Sequence, residues 1–239
     1  MNDKQFCQLV NSIDELLPQV YANFVDNYQK PDYLCKRAIL ASLNATVARI
    51  NSTILEWIPA EAMTFKSIDS VMDRNQAALY PVELLNCIHP PGFPAHMLDL
   101  KVGAIIMLIR NLDPPKLCNG TRLCITKLHR HLIEATILSE CAKGEPVFMP
   151  RIPLISTGLP FQFRRLQFPV MLSFAMSINK AQGQTMDMVG VDLEEPCFGH
   201  GQLYVACSRV GAADKLFIHA PGGKTPNIVF KEVIKSILF

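Results

Sequence analysis

The fold is decided by residues 37–58, which have the sequence RAILASLNATVARINSTILEWI. The first six of these residues form a short apolar run that is typical of a buried strand. Asn44 offers a side-chain oxygen that can cap a helix, and Val47, Ile50 and Ile54 follow it at helical spacing. A strand, a turn and a helix in this order are the building block of a parallel sheet, so we expect an α/β fold.

Residues 6–23, on the amino-terminal side, also carry apolar side chains at helical spacing. The apolar positions are Phe6, Leu9, Val10, Ile13, Leu16, Leu17 and Val20. This spacing predicts an amphipathic helix that packs on the α/β domain that follows it.

Residues 98–165 have a different pattern. They contain four short apolar or alternating runs, separated by turn residues such as Asn119-Gly120 and Lys143-Gly144. Such runs predict a small antiparallel barrel or meander. Between residues 64 and 96 the sequence is irregular, with one short helix expected after Pro81.

The α/β pattern resumes after residue 165. The apolar runs QFPVMLSFAM (167–176), MVGVDL (188–193) and KLFIHA (215–220) predict strands, whereas HGQLYVACSRV (200–210) predicts a helix. We therefore divide the chain into residues 1–97, with the N-terminal helix and the first part of the α/β domain, an inserted β subdomain at 98–165, and the remainder of the α/β domain at 166–239.

Composition limits the classes of protein to consider. The chain has 239 residues, of which 49% are hydrophobic, and its longest apolar runs are too short to cross a bilayer. The first residues lack the basic start and apolar run of a secretory signal, so we expect an intracellular protein without a membrane span. Residues 1–100 hold 7 basic and 11 acidic side chains and residues 101–239 hold 16 and 10, so the basic charge lies in the second part.

The eight cysteines have no pair at the two-residue spacing of a zinc knuckle, which favours free and mostly buried thiols. His129 and His131 alternate along a predicted strand, but no nearby cysteine or carboxylate completes a metal site. We interpret both histidines as surface residues and predict no metal site in this chain.

Three segments resemble a known family. The segments LKVGAIIMLIRNLDPPKLCNGTRL (100–123), FQFRRLQFPVMLSFAMSINKAQGQT (161–185) and HGQLYVACSRV (200–210) resemble the C-terminal region of the Pif-type (petite integration frequency) DNA helicases, and most of all the branch found in Helitron transposons. This resemblance implies a second RecA-like helicase domain with an inserted small β-barrel of the Src-homology type. It extends from about Tyr33 onward.

The resemblance also implies roles for individual residues in the segment SINKAQGQT (177–185). By position in the family motif, Ser177, Asn179 and Lys180 would contact single-stranded DNA. Hydroxyl, amide and ammonium groups all bond phosphate oxygens without recognising bases. Gly183 and Gln184 would lie towards ATP. The family more often has Thr, His and Ser where this chain has Ser177, Asn179 and Ala181, which puts the polar contact at Ala181 in doubt.

Arg209 occupies the position of the family's arginine finger, which reaches the γ-phosphate from the neighbouring domain. A planar and permanently charged guanidinium is suited to stabilising the charge on a phosphoryl group during transfer.

Aromatic and basic residues alternate at Phe161, Phe163, Arg164 and Arg165. We include Arg165 among the DNA-binding candidates, because such a surface would stack bases and neutralise phosphates. A half-buried strand with a basic edge explains the same pattern. For Asn119-Gly120, the chemistry of a hairpin turn is favoured over binding.

The half of the motor that holds ATP is missing from the sequence. The segment Gly223-Lys224-Thr225 matches the end of a phosphate-binding P-loop, but Ile218 stands where the motif needs its first glycine, and Pro226 follows. Glu194-Glu195 precede a proline in what is predicted to be a loop and do not suggest a magnesium site. We expect ATP and Mg²⁺ to act in the complete enzyme, with neither bound by this chain alone, and a first RecA-like domain to be a necessary partner.

Two hypotheses about function remain. The resemblance implies the C-terminal half of an ATP-dependent DNA helicase that translocates on single-stranded DNA, unwinds duplex at forks, and acts in the nucleus in DNA repair, recombination, telomere maintenance or transposition. The alternative is a non-catalytic, transposon-derived remnant that serves at most as a DNA-binding module.

Overall fold

The computed structural model describes residues 6–73, 79–138, 142–156 and 158–229. The chain forms two compact units. The first unit joins residues 1–57 to residues 174–239, and the second unit comprises residues 58–173.

The first unit is built on a five-stranded parallel sheet. Its strands, numbered in chain order over the whole molecule, are β1 (Gln8–Val10), β2 (Arg37–Ala41), β13 (Ala175–Ser177), β14 (Met188–Asp192) and β15 (Leu216–His219). Their order across the sheet is β1-β15-β14-β2-β13. All neighbouring strands in this sheet run parallel, which confirms the predicted α/β class.

The amino-terminal segment departs from the predicted single helix. Residues 8–10 form the edge strand β1, which pairs with β15, and helix α1 (Ile13–Val20) begins only after Ser12. The Ser12 hydroxyl accepts a hydrogen bond from the backbone N–H of Glu15, as expected of an N-cap. The helical spacing at residues 6–10 therefore predicted the wrong element. Residues 8–10 pair with the edge of β15 instead, and a strand of three residues is too short to show its own alternating pattern.

Helix α4 (Asn44–Trp57) lies within about one residue of its predicted bounds, with Asn44 as its first residue instead of its cap, and it contacts β2 and β13. Its buried Asn51 makes two bonds to the backbone of Ala175, because its amide nitrogen donates to the carbonyl (2.9 Å) and its oxygen accepts from the N–H (2.8 Å). β13 is the last strand of the sheet, so Asn51 occupies the place of a further neighbouring strand. The other helices of this unit are α2 (Phe24–Asn27), α3 (Pro31–Cys35) and α6 (Gln202–Cys207).

The second unit is mostly antiparallel. Its described residues form the strands β3 (Met63–Lys66), β4 (Ile68–Val71), β5 (Met97–Leu100), β6 (Ile105–Leu108), β7 (Arg122–Leu128), β8 (Leu132–Ile137), β9 (Pro146–Pro150), β10 (Ile152–Ser156), β11 (Phe163–Gln167) and β12 (Val170–Leu172), together with the helix α5 (Val82–Cys87). They form sheets in the orders β12-β6-β7-β8-β9, β10-β11-β4 and β3-β5.

The second unit is larger than the predicted insertion at 98–165, since it extends from Ile58 to Ser173. The reason is strand pairing across long sequence distances. β3 pairs with β5, β4 pairs with β11, and β12 pairs with β6. The sequence at 64–96 has no regular hydrophobic pattern because its described residues form two short strands and one short helix, which turns separate.

The predicted turn at Asn119-Gly120 is confirmed, whereas His129 and His131, which were predicted to alternate along a strand, lie in the connection between β7 and β8. Gly120 adopts a positive φ of 95° in the turn before β7, and Asn119 donates its backbone N–H to the side chain of Asn111. Ser139, at the end of one predicted strand, and Cys141 lie outside the described residues. Within the described part of the chain, the structure has no helix that is long and apolar enough to cross a membrane.

Candidate functional site

Strand β13 leads directly into the segment predicted to contact DNA. Ser177 is the last residue of β13 and is half-buried, and residues 178–181 form one turn of 3₁₀ helix. Ile178 and Ala181 are fully buried, whereas Asn179 and Lys180 are exposed. The two apolar residues therefore anchor the turn while its two polar side chains face solvent.

Partial burial lowers the pKa of the Lys180 ammonium from its ordinary value. Lys180 thus has both the charge and the exposure that a contact with the nucleic-acid backbone requires.

The turn continues through the two residues predicted to lie towards ATP. Gly183 is exposed with a φ of 80°, a conformation that favours glycine. Gln184 closes the turn, because its backbone N–H donates to the carbonyl of Ala181 (3.1 Å) and its side-chain nitrogen donates to the carbonyl of Lys180 (3.2 Å). The segment 177–184, called the grip loop below, is therefore a closed and internally bonded structure.

Arg209 lies against the grip loop. Its Nη1 atom donates to the carbonyl oxygens of Gln184 (3.0 Å) and Ala181 (3.4 Å), and its Nε atom donates to the carbonyl of Val205 (2.8 Å). The structure thus brings together the candidate finger and the candidate DNA-binding residues, which are about 30 positions apart in the sequence.

Helix α6 presents a different face from the one expected. Helical spacing along residues 200–210 predicts that Gln202 and Ala206 share the face of Arg209, which would leave Leu203, Val205 and Cys207 for packing. Gln202 and Ala206 are instead buried, and the other three residues are half-buried. The Gln202 side-chain oxygen accepts hydrogen bonds from the backbone N–H groups of residues 198 and 199, which holds the start of this short helix.

The structure removes Arg165 from the DNA-binding candidates. Its side chain is fully buried and forms a two-point ion pair with Asp69, with Nε to Oδ1 at 2.9 Å and Nη2 to Oδ2 at 2.6 Å. It also donates to the carbonyl oxygens of Leu85 and Pro94. A guanidinium with these partners has no access to a phosphate, so the role of Arg165 is structural.

The aromatic and basic side chains around Arg165 do not form one stacking surface, because successive residues of β11 point to opposite faces of the sheet. Phe163 and Arg165 of β11 point inward, whereas Arg164 is exposed on the opposite face. Phe161 precedes the strand and stacks on Tyr80, with ring centroids 3.9 Å apart. The half-buried strand with a basic edge is therefore the better interpretation of this segment.

Two arrangements were missed from the sequence. Asn51 holds the start of β13, and Asp192, at the end of β14, bonds His219 at the end of β15, with Oδ1 to Nδ1 at 2.7 Å. Both pairs join residues that are distant in sequence, although an aspartate that ends an apolar strand is a signal that could have been noticed. Among the described residues, no cluster of three histidine, cysteine or carboxylate side chains could hold a metal ion.

The segment that matches the end of a P-loop has the wrong local structure for one. Residues 221–223 form a short 3₁₀ turn, and Lys224 is exposed with extended backbone angles of −135° and 142°. Residues 224–229 contain no helix. A P-loop places its lysine at the start of a helix, where backbone N–H groups cradle the phosphates. The residues present therefore do not fit the phosphates of ATP by themselves.

The first unit is an α/β domain of the RecA-like class, the class used by nucleotide-driven motors. A solved Pif1 helicase structure on forked double-stranded DNA matches with a TM-score of 0.64 and 22% identity, covering 99% of this chain and 51% of that chain. The Pif1 helicase from Bacteroides in complex with ADP-AlF3 and single-stranded DNA matches with a TM-score of 0.62 and 22% identity, covering 95% and 54%. At these identities, the structures support the fold.

Sequence comparisons give the family. Residues 83–128 match the model of the Pif1 DNA helicase 2B domain. The human ATP-dependent DNA helicase PIF1 is 29% identical over 217 residues, which are 87% of this chain and 31% of the human protein. These matches support a Pif-type DNA helicase, and they cover the C-terminal part of that family. The chain spans about a third of the length of this curated relative.

Proposed function

We propose that the chain is the C-terminal half of an ATP-dependent DNA helicase that moves along single-stranded DNA and unwinds duplex at forks. The observation that carries this proposal is the 3.0 Å bond between Arg209 and the grip loop, which puts the candidate arginine finger beside exposed polar groups suited to a DNA backbone. The match to the family supports the same assignment. The alternative of a non-catalytic transposon-derived remnant is not favoured, because the chain retains this juxtaposition.

Within this proposal, Ser177, Asn179 and Lys180 contact the strand, while Gly183 and Gln184 line the nucleotide side of the grip loop. None of these groups distinguishes bases, which suits a motor that must move along any sequence. A related Pif1 helicase was solved with both ADP-AlF3 and single-stranded DNA, which supports the use of both ligands by the complete enzyme.

ATP and Mg²⁺ belong to the complete enzyme in this proposal, because the P-loop and acidic residues that would hold them are expected on a first RecA-like domain. Bound ATP would supply the phosphoryl group whose transfer drives movement. Arg209 would then stabilise the charge on that group with its planar guanidinium.

We also propose that the second unit contains a Src-homology-like barrel at about residues 98–165. The antiparallel sheet of β12, β6, β7, β8 and β9 supports it, since five short antiparallel strands are enough to form a small barrel. Nuclear location and a role in repair, recombination, telomere maintenance or transposition remain proposals that rest on the family alone.

The test of the proposed function has two parts. The chain alone should bind a fluorescein-labelled oligothymidine weakly at low salt and should not hydrolyse ATP. Fused to a P-loop domain from a Pif1 relative, it should hydrolyse ATP in a DNA-dependent manner, and Arg209→Ala should reduce turnover by roughly three to five powers of ten. Arg209→Lys should be nearly as damaging, because lysine lacks the planar fork. Normal turnover in the fused Arg209→Ala enzyme would remove Arg209 from the mechanism.

A further inference from the structure

Arg209 already has protein partners in this structure, which an arginine reserved for a phosphate would not need. Its guanidinium makes four hydrogen bonds, from Nε to Val205, from Nη1 to both Ala181 and Gln184, and from Nη2 to the Ser208 hydroxyl (2.8 Å). An arginine side chain has five N–H donors. Only one of them is left over when these four bonds are made.

These bonds connect two elements that are distant in the sequence. Val205 and Ser208 belong to the end of α6, whereas Ala181 and Gln184 belong to the grip loop. The backbone supports the same connection, because the N–H of Met186 donates to the carbonyl of Arg209 (2.9 Å). Arg209 therefore fixes the distance between α6 and the grip loop through both its side chain and its main chain.

We propose that Arg209 is a positioning residue for the grip loop as well as the candidate arginine finger. The same guanidinium would then support the loop that contacts DNA and bind the phosphate of the nucleotide. This inference rests on the proposed function. A two-point bond to a phosphate requires two parallel N–H groups, and only one is left over. A phosphate bound through Nη1 and Nη2 would therefore displace at least one of the two grip-loop carbonyls that Nη1 now holds.

Release has a direct physical consequence for the strand contacts. The backbone N–H of Gln184 donates to the carbonyl of Ala181, and this bond closes the turn that contains Gly183. Without the Arg209 donor on the two grip-loop carbonyl oxygens, the turn that presents Lys180 and Asn179 loses a side-chain connection to α6. Nucleotide engagement thus loosens the grip loop, which gives a helicase a way to alternate between holding and releasing the strand.

The first arm of the test measures the grip loop without DNA. Hydrogen exchange followed by mass spectrometry on the whole chain should show the peptide covering residues 178–186 exchanging roughly tenfold faster in Arg209→Ala than in the wild type. Peptides from β2 and β14 should be unchanged. Arg209→Lys provides a second variant, because it keeps the charge but supplies only one donor group, and its effect should be intermediate.

The second arm measures affinity for a labelled oligothymidine over a range of salt concentrations. Arg209→Ala should bind roughly tenfold more weakly, with the same slope of log affinity against log salt, because it removes support and no phosphate contact. Arg49→Ala is the matched control. Arg49 is an exposed arginine of the same unit that pairs with Glu194, so its loss removes the same charge and should change neither exchange in the grip loop nor the slope.

Each outcome decides a separate point. Unchanged exchange at residues 178–186 in Arg209→Ala overturns the positioning role, and so does a slope reduced by about 0.7, which would mean a direct phosphate contact. If the wild-type chain does not bind the oligothymidine, the proposed function fails, and the exchange arm alone decides whether Arg209 supports the loop. Faster exchange together with an unchanged slope supports the inference.

Discussion

The Nη2 atom of Arg165 lies 2.6 Å from Oδ2 of Asp69, and both side chains are fully shielded from solvent. The Nε atom completes a second parallel bond to Oδ1 at 2.9 Å. The pair joins β11 to β4, and two further bonds reach the carbonyl oxygens of Leu85 and Pro94. One buried guanidinium therefore connects the three-stranded sheet to α5 and to the segment before β5.

Arg165→Ala should lower the free energy of unfolding by about 3–5 kcal/mol, because it leaves the Asp69 carboxylate buried without its cation. Urea denaturation followed by circular dichroism measures this change. The adjacent Arg164→Ala is the control. Arg164 is exposed on the other face of the strand, so its loss should change stability by no more than about 0.5 kcal/mol. Equal losses of stability in the two variants would show that the buried ion pair of Arg165 does not stabilise the chain.

Asn51→Ala should destabilise the chain by about 2 kcal/mol or more. The substitution leaves both the N–H and the carbonyl of Ala175 without a partner at the edge of the sheet, and each unsatisfied buried group costs about 1–3 kcal/mol. Ser52→Ala, an exposed change in the same helix, is the control. The same denaturation experiment measures both, and a loss no greater than that of Ser52→Ala would mean that water replaces the Asn51 bonds.

The sequence predicts the elements of the first unit well, because local patterns determine them. Residues 37–58 contain a complete strand, turn and helix, and the structure has β2 and α4 there. The short strands β1, β3 and β4 could not be predicted, since each depends on a partner strand far away in the sequence. The spacing of apolar residues alone favoured a helix at residues 6–10, where the structure pairs β1 with the edge of β15.

The candidate site shows the same division between local and distant information. Ser177, Lys180 and Arg209 were identified by position in family motifs, and the structure brings them together. Arg165 was misassigned because a string of aromatic and basic residues does not tell which side chains of a strand face inward. Its partner Asp69 is 96 positions away and carries no signal in the sequence that links it to Arg165.

Gly190→Ala should destabilise the first unit by about 1–3 kcal/mol through overpacking. An added Cβ would lie 2.8 Å from Cγ2 of Val20 and 3.1 Å from Cγ of Leu16, so β14 and α1 would have to move apart. Gly158→Ala is the control, because an added Cβ there meets nothing within 4 Å. Thermal unfolding measures the difference. A second substitution, Val20→Ala, should recover part of the loss in Gly190→Ala, and no recovery would argue against a steric cause.

Lys180→Ala should weaken binding of single-stranded DNA and reduce the salt slope by about 0.7, the value for one phosphate contact on a single strand. The exposed Lys215, in the same unit, provides the matched control, because Lys215→Ala removes the same charge away from the grip loop. Fluorescence anisotropy with a labelled oligothymidine at several salt concentrations gives both slopes. Identical slopes for the wild type and Lys180→Ala would exclude a phosphate contact by this residue.

The pH dependence provides a second measurement on the same residue. Desolvation lowers the pKa of Lys180, so its positive charge is lost at a lower pH than that of an ordinary lysine. Because deprotonation removes the attraction to phosphate, affinity should fall as the pH rises through this lowered pKa. Lys180→Ala should not show this fall, and Lys180→Arg should keep its affinity, since a guanidinium stays protonated in this range. If the wild type and Lys180→Arg lose affinity in parallel as the pH rises, another titrating group is responsible and Lys180 does not hold the strand through its charge.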